Sequence, residues 1–472
     1  MKKITLLLFL GSSVFCKAQY TNLYNFTDQH GYRAYGDLTL SGNKLFGMTS
    51  EGGAQGYGNI FSIDTNGHNF KDLFDFNGTD GEYPKGSLTL SGAQLFGMAY
   101  QGGAHNDGVI FSIDTNGHNY KDLLDFNSTN GKEPDGSLLL SGIQLFGVTY
   151  IGGANNAGII FSIDTNGHNY KDLLDFNTTN GEGPSASLSL SGIQLFGTTY
   201  NGGSHNDGVI FSIDSNGHNY KDLFDFNTTL GTYPEGSLSL VGKMMFGTAS
   251  MGGANSDGVL FSVDTNGNNY KDLLDFNNTN GQYPLGSLRL SGKVMYGMAY
   301  LGGTSNYGNT FSIDTNGSNF KVLFDFNGLN GQYPYGTLTL LGTNILYGMT
   351  YYGGASDSGV IFRFNDTSNH VTGINEIHTA QIATNVYPNP GVGVFTFQIT
   401  NYPIGMPSHE LGITNQVEVY NMLGEKVYTK QVTIDNSQFT IDLSNNPSGI
   451  YLYRVLTETG DLVSDGKLII NK

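Results

Sequence analysis

The sequence predicts an all-β chain, a seven-bladed β-propeller followed by a small immunoglobulin-like β-sandwich. Three observations carry this. A unit of about fifty residues recurs, marked by Phe61, Phe111, Phe161, Phe211, Phe261, Phe311 and Phe362. Each copy holds several short runs of alternating polar and apolar residues, with no helical period. A unit of that size cannot bury its own apolar face, so neighbouring copies must stack.

The chain opens with Lys2-Lys3, an apolar run from Ile4 to Phe15, and Cys16-Lys17-Ala18 before Gln19. This is the pattern of a secretory signal peptide over 1–18, cleaved after Ala18. Cys16 raises a lipoprotein alternative, against which Phe15 stands where a small residue is normal. The mature chain then has no cysteine, which excludes disulfides, thiol catalysis and cysteine metal sites.

Residues 84–127 represent one repeat. Ser87-Leu88-Thr89-Leu90-Ser91 alternates as a strand with one buried face should, and Gly92 supplies a turn. Gln94 to Tyr100 is the second strand. Gly102-Gly103-Ala104-His105-Asn106-Asp107-Gly108 has no apolar pattern and reads as an exposed loop. Val109 to Asp114 is the third strand, Asp114-Thr115-Asn116-Gly117 a hairpin turn, and Tyr120 to Asn127 the fourth strand. Four strands with short connections make one propeller blade.

The ends of the array distinguish a ring from an open solenoid. The seventh copy has three strands, Gly336 to Leu340, Ile345 to Tyr351 and Gly359 to Phe364, and no fourth. Thr21-Asn22-Leu23-Tyr24-Asn25-Phe26-Thr27 aligns with Lys71 to Asn77, a fourth strand without a blade of its own. It is expected to complete blade seven, which would pair otherwise open sheet edges. The propeller thus spans 19–366, a polar linker 367–385, and a second domain 386–472. In that domain, strands at Val394 to Ile399, Gln416 to Asn421, Lys426 to Thr429, Phe439 to Leu443, Ile450 to Leu456 and Lys467 to Asn471 suggest the sandwich.

The formal charge is −18, and losing the leader's Lys2, Lys3 and Lys17 takes it to −21. Such a surface repels nucleic acid and anionic lipid, so no nucleic-acid partner is expected. No later apolar run approaches the roughly 20 residues that span a bilayer. Dinucleotide, P-loop and zinc-protease motifs are absent.

The last domain resembles the type A C-terminal sorting domain of the Bacteroidetes type IX secretion system. The matching residues are Tyr387-Pro388-Asn389-Pro390, Val417 to Asn421 with Gly424-Glu425-Lys426-Val427, Ser448-Gly449-Ile450-Tyr451-Leu452, and Lys467-Leu468-Ile469-Ile470. That resemblance implies recognition by the type IX machinery, export through the periplasm, and a final place in the medium or on the outer-membrane surface. The repeats resemble the Gloeobacter/Verrucomicrobia tandem repeat through Leu95-Phe96-Gly97-Met98, Gly102-Gly103 and Gly108-Val109-Ile110-Phe111. That family implies architecture and no catalytic residues.

Ser112-Ile113-Asp114-Thr115-Asn116-Gly117 is similar to the Asp-box hairpin of sialidase-like propellers but is one residue longer and lacks the closing Trp; turn formation alone explains its residues. His68, His118, His168 and His218 lie past these turns in different blades and read as exposed. The loops between second and third strands, with the links between blades, share one face and form the candidate ligand surface. They present His105, Asn106, Asp107, His205, Asn206, Asp207 and Asp257, with Tyr83, Tyr233, Tyr283 and Tyr333 from the links. Amides, carboxylates and tyrosines suit sugar hydroxyls and faces. Arg289 replaces Thr or Ser on a first strand and can reach the channel, with no carboxylate partner evident in the sequence.

A general acid and a base need two differently tuned carboxylates, whereas the copies are close to identical. The leading expectation is therefore a monomeric, non-catalytic, secreted or surface-anchored binder of glycans or surface proteins, with no cofactor. A polysaccharide-active hydrolase or lyase with its site at the channel mouth is the alternative. A further one is a Ca2+-stabilised repeat using Asp107, Asp207 and Asp257.

Overall fold

Strand pairing in the computed structural model, which describes residues 19–366, 383–400, 414–421, 426–433, 438–456 and 462–472, groups the repeats into seven four-stranded antiparallel sheets. The expected signal peptide, residues 367–382 of the expected linker, and Gly424 lie outside the described residues. The chain divides into two compact units, Met1–His370 and Val371–Lys472. No helix of the described residues is long and apolar enough to cross a membrane.

One sheet contains Thr89–Ser91, Gln94–Ala99, Val109–Asp114 and Lys121–Asp125, paired in chain order. Gly97 lies opposite Phe111, and a Cβ on it would sit 2.5 Å from the Phe111 Cζ. The ring of each recurring phenylalanine thus fills the space above a glycine, which is why Leu-Phe-Gly repeats with it. A register shift between Ile110 and Phe111 bulges the fourth strand at Leu123. Leu123 is then buried with Phe96, Met98, Ile110 and Phe126 against Leu138, Leu145, Ile159, Phe161 and Ile163 of the next sheet. Each core therefore lies between two sheets, so no repeat is stable alone.

The turns behave as the sequence suggests. Asn119, at φ 55°, donates its side-chain amide to the Asp114 carboxylate at 2.7 Å, and the His118 N–H donates to Asn116 Oδ1 at 3.2 Å. His68, His118, His168 and His218 are all exposed.

The final sheet departs from chain order. Gln19–Asn25 pairs with Val360–Asn365, followed by Ile345–Met349 and Thr339–Leu341. Tyr347, Met349 and Ile361 of this sheet share a core with Leu38, Leu45, Phe61 and Ile63 of the first, so the cycle of sheets closes. The arrangement is propeller-like.

In the second unit, a sheet of Ala383–Tyr387, Val394–Thr400 and Gln438–Asp442 accompanies one of Lys426–Thr433, Thr414–Asn421, Gly449–Leu456 and Leu462–Ile470. Phe395, Phe397, Val417, Val419, Ile441, Tyr453, Val455 and Leu468 form its core. Asn389 ties the Pro388-Asn389-Pro390 segment to the last strand. Its amide donates to the Lys467 carbonyl at 2.6 Å, and its Oδ1 accepts the Ile469 N–H at 2.9 Å. Tyr451, at the start of the strand that Gly449 opens, donates its hydroxyl to the Pro447 carbonyl at 2.9 Å.

Candidate functional site at the axis of the sheets

The links entering each first strand meet at the axis. The backbone N–H groups of Asp37, Ser87, Ser137, Ser187, Ser237 and Ser287 each donate to the side-chain oxygen of the residue fifty positions on, at 2.7–3.0 Å. Thr337 N–H donates to Asp37 Oδ1 and completes the cycle. The residue before each of these is glycine, except Ala186, because neighbouring backbones touch there. A Cβ on Gly86 would lie 1.8 Å from the Gly136 carbonyl oxygen.

One position further back, the chemistry changes from copy to copy: Tyr35, Lys85, Asp135, Ser185, Glu235, Leu285 and Tyr335. These residues line an axial cavity of about 90 Å³. Tyr335 donates its hydroxyl to Glu235 Oε2 at 3.0 Å, reaching past the Leu285 copy, and Lys85 Nζ lies 4.0 Å from Asp135 Oδ2. Burial pushes the Glu235 carboxyl up to about 7, against the opposing effect of hydrogen bonds from Tyr335 and Ser250. Burial also raises Asp135, with Lys85 opposing, and lowers the Lys85 ammonium.

Tyrosines at the ends of second strands contact residues that line this cavity, Tyr100 with Lys85, Tyr300 with Tyr335 and Tyr351 with Tyr35. Lys85 Nζ stands 3.1 Å from the Tyr100 ring centroid, and Tyr100 donates its hydroxyl to Glu133 at 2.6 Å. Tyr200 stacks on Tyr233 at 4.7 Å, and Tyr300 on Tyr333 at 5.1 Å. The Tyr35 and Tyr351 hydroxyls meet at 3.0 Å. Arg33 lies 5.5–5.6 Å from the rings of Tyr32, Tyr351 and Tyr352, bonded to Glu51 and to the Tyr352 hydroxyl.

The link tyrosines expected from the sequence sit at positive φ: 55° for Tyr83, 58° for Tyr233, 53° for Tyr283 and 59° for Tyr333. Backbone bonds to the adjacent loop fix them, as in Tyr233 N–H to Asp207 O and Tyr283 N–H to Asp257 O. Tyr233 and Tyr333 join the aromatic crown. Two of the loop residues bond within their own loops, and two reach neighbouring segments. Asn106 and Asn206, at φ 59° and 60°, accept the N–H groups of Gly102 and Gly202 on Oδ1. Asp107 is buried, accepting from Ser128 and paired with Lys132 at 3.4 Å; Asp257 accepts from Gln282 at 2.7 Å.

His105 and His205 are exposed. Asp107, Asp207 and Asp257 belong to three different repeats, and no group of three or more His, Asp or Glu suited to a metal ion occurs among the described residues. Arg289 is exposed on its first strand, and its charge stabilises the ionised form of Asp37.

The axial series was overlooked because whole repeats look alike. Its signal was present in the sequence: in links that read Pro-X-Gly in five repeats, Ala-X-Gly at Tyr35 and Pro-X-Ala at Ser185, the middle residue varies more in chemistry than the two that flank it.

Comparison with known proteins matches two families. The Gloeobacter/Verrucomicrobia repeat profile matches residues 13–171, 142–242 and 240–393, and the secretion system C-terminal sorting domain matches 385–471. Comparison with curated proteins gives no match. Similar solved structures include a nidogen/laminin complex, at 14% identity and TM-score 0.40, covering 59% of this chain and 94% of that one. The extracellular domain assigned to a one-component system of B. thetaiotaomicron has 12% identity and TM-score 0.49, and the match covers 96% of this chain and 58% of that one. A Bacteroides fragilis protein assigned as a 6-phosphogluconolactonase has 13% identity and TM-score 0.43, with 86% and 98% covered. With its repeats matched from residue 13 to residue 393, the chain belongs to the Gloeobacter/Verrucomicrobia repeat family and ends in a secretion-system sorting domain that indicates type IX export.

Proposed function

We propose that residues 19–366 form a seven-bladed β-propeller that, exported by the immunoglobulin-like sorting domain, binds glycans or surface partners without catalysis. The observation that carries this reading is the set of tyrosines next to the lining of the axial cavity, where Tyr100 meets Lys85, Tyr300 meets Tyr335 and Tyr351 meets Tyr35, beside the lining residues Asp135, Ser185 and Glu235. Aromatic faces paired with carboxylates and hydroxyls are the chemistry that sugar rings require. The test is a glycan array and polysaccharide panel with the mature chain, recording binding and product release on the same samples. Saturable binding without turnover is expected; absence of binding to every glycan refutes the glycan reading.

A hydrolase or lyase is the second reading, favoured by Glu235, whose carboxyl at about 7 has the tuning a general acid needs near neutral pH. Release of reducing or unsaturated ends by the mature chain, lost in Glu235→Gln, would establish it in place of the first.

A further inference from the structure

Four of the five crown tyrosines at the ends of second strands are already covered. Lys85 lies over Tyr100 and Arg33 over Tyr351, while Tyr233 stacks on Tyr200 and Tyr333 on Tyr300. Tyr150 is the exception. The repeat position that would supply its cover is Gly183, which occupies the left-handed region at φ 65° as Tyr233 does at 58°. The Tyr150 ring rests against Gly183, where a Cβ would come within 2.8 Å of it. Among the described residues its one aromatic neighbour is the edge of Tyr200, at 6.5 Å.

The surroundings of Tyr150 are acidic. Burial raises the pKa of its hydroxyl, and Asp135, Glu235, Glu182 and Glu133 raise it further. Lys85 is engaged with Asp135 and with the Tyr100 ring. Beside these groups Ser185 lines the axial cavity, and its Oγ is buried without a hydrogen-bond partner. A buried hydroxyl of this kind is left unsatisfied until a ligand or water reaches it.

Resting on the glycan-binding reading, we infer that Tyr150, with Ser185, Asp135 and Glu235, is the subsite for a sugar ring carrying an amine. The ring's ammonium takes over Tyr150 the place that Lys85 takes over Tyr100, and the carboxylates supply its counter-charge. Its hydroxyls satisfy Ser185. A uronic acid adds a further negative charge to this acidic group and is repelled, and a neutral sugar leaves the group's charge unanswered.

The test uses calorimetric titration of the full mature chain with four tetrasaccharides: glucosamine, N-acetylglucosamine, cellotetraose and galacturonate. The glucosamine tetramer is expected to bind about tenfold tighter than its N-acetylated form, with no binding of the galacturonate. Gly183→Tyr rebuilds the cover found at Tyr200, at a backbone conformation that four other repeats already give to tyrosine. It should abolish this preference, with the Tyr150 ring shifting to admit the new Cβ. Tyr150→Leu, which does not depend on fitting a new ring, should weaken glucosamine binding about tenfold. Glucosamine binding that survives both substitutions, or equal affinity for neutral and amine sugars, overturns the subsite and leaves the glycan reading standing. No binding of any glycan removes both.

Discussion

Tyr20 donates its hydroxyl to the carbonyl of Asn330 at 2.6 Å, the same bond that Tyr170 makes to Asn130 at 2.7 Å. Forty residues separate the partners in one case and 310 in the other. Tyr20 also stacks on Phe324 at 4.2 Å, as Tyr120 stacks on Phe74 at 4.1 Å. The first strand of the chain thus occupies, residue for residue, the fourth-strand place of the last sheet.

Removing residues 19–25 should therefore expose the edge strand Val360–Asn365 and cause aggregation, read by light scattering during a thermal ramp. Tyr20→Phe keeps the stack and loses one hydrogen bond, for about 1 kcal/mol. Tyr20→Ala loses both and should cost about 3–5 kcal/mol. Equal melting temperatures for Tyr20→Ala and the parent would show that the ring does not depend on this strand.

Asp37 is the single carboxylate in a cycle otherwise built from serine and threonine hydroxyls. Burial raises its pKa, opposed by the hydrogen bond from Thr337 and the charge of Arg289. A carboxyl whose folded pKa lies above its unfolded value loses stability as pH rises from the unfolded value through the folded one. Asp37→Ser keeps an acceptor for Thr337 N–H and removes that loss, so it should melt higher than the parent at pH 7. Asp37→Ala leaves the N–H unpaired and should lower stability by about 1–3 kcal/mol. The order Ser above Asp above Ala in melting temperature is the outcome to check.

Glu235 follows the same sign with a defined window. Its carboxyl titrates at about 7 in the folded chain, above the ordinary glutamate value. Its ionisation therefore costs stability between about pH 4.5 and 7, on the order of 3 kcal/mol when complete. Glu235→Gln should leave the melting temperature unchanged near pH 4.5 and raise it at pH 8. A variant equally stable to the parent at both values would show that burial does not shift the Glu235 carboxyl.

Strand positions were legible in the repeats because period-two alternation and Asn-Gly turns are local properties of the chain. Gln94 to Ala99 and Val109 to Asp114 fall within one residue of their expected bounds. The fourth strand of the last sheet was legible because Thr21 to Thr27 kept the spacing of its siblings. The site was harder to read. Asn106 and Asn206 were attractive as ligand groups, yet the left-handed loop backbone claims their side chains. Asp135 and Glu235 are a hundred residues apart and line one cavity through the cyclic order of the sheets, which no local pattern encodes. Arg289 seemed isolated because Asp37, whose charge it answers, is 252 positions away in the chain.

The sorting domain has an acid limit of its own. Glu418 is nearly buried and is held by Lys426, by Arg454 Nε at 2.8 Å and by the Tyr420 hydroxyl at 2.5 Å. These bonds, that of Lys426 foremost, lower its pKa to about 2. A depressed carboxyl contributes stability that is complete above its unfolded value and disappears as pH falls through the folded one. The sorting domain should therefore lose stability between about pH 4.5 and 2. Glu418→Gln cannot accept two charged donors and should already be weaker by about 2 kcal/mol at pH 7, with the difference from the parent vanishing near pH 2. Scanning calorimetry of the full chain, set against the chain ending at residue 366, isolates the transition of this domain. A transition in Glu418→Gln that keeps the parent's acid slope would assign the acid sensitivity to other carboxylates.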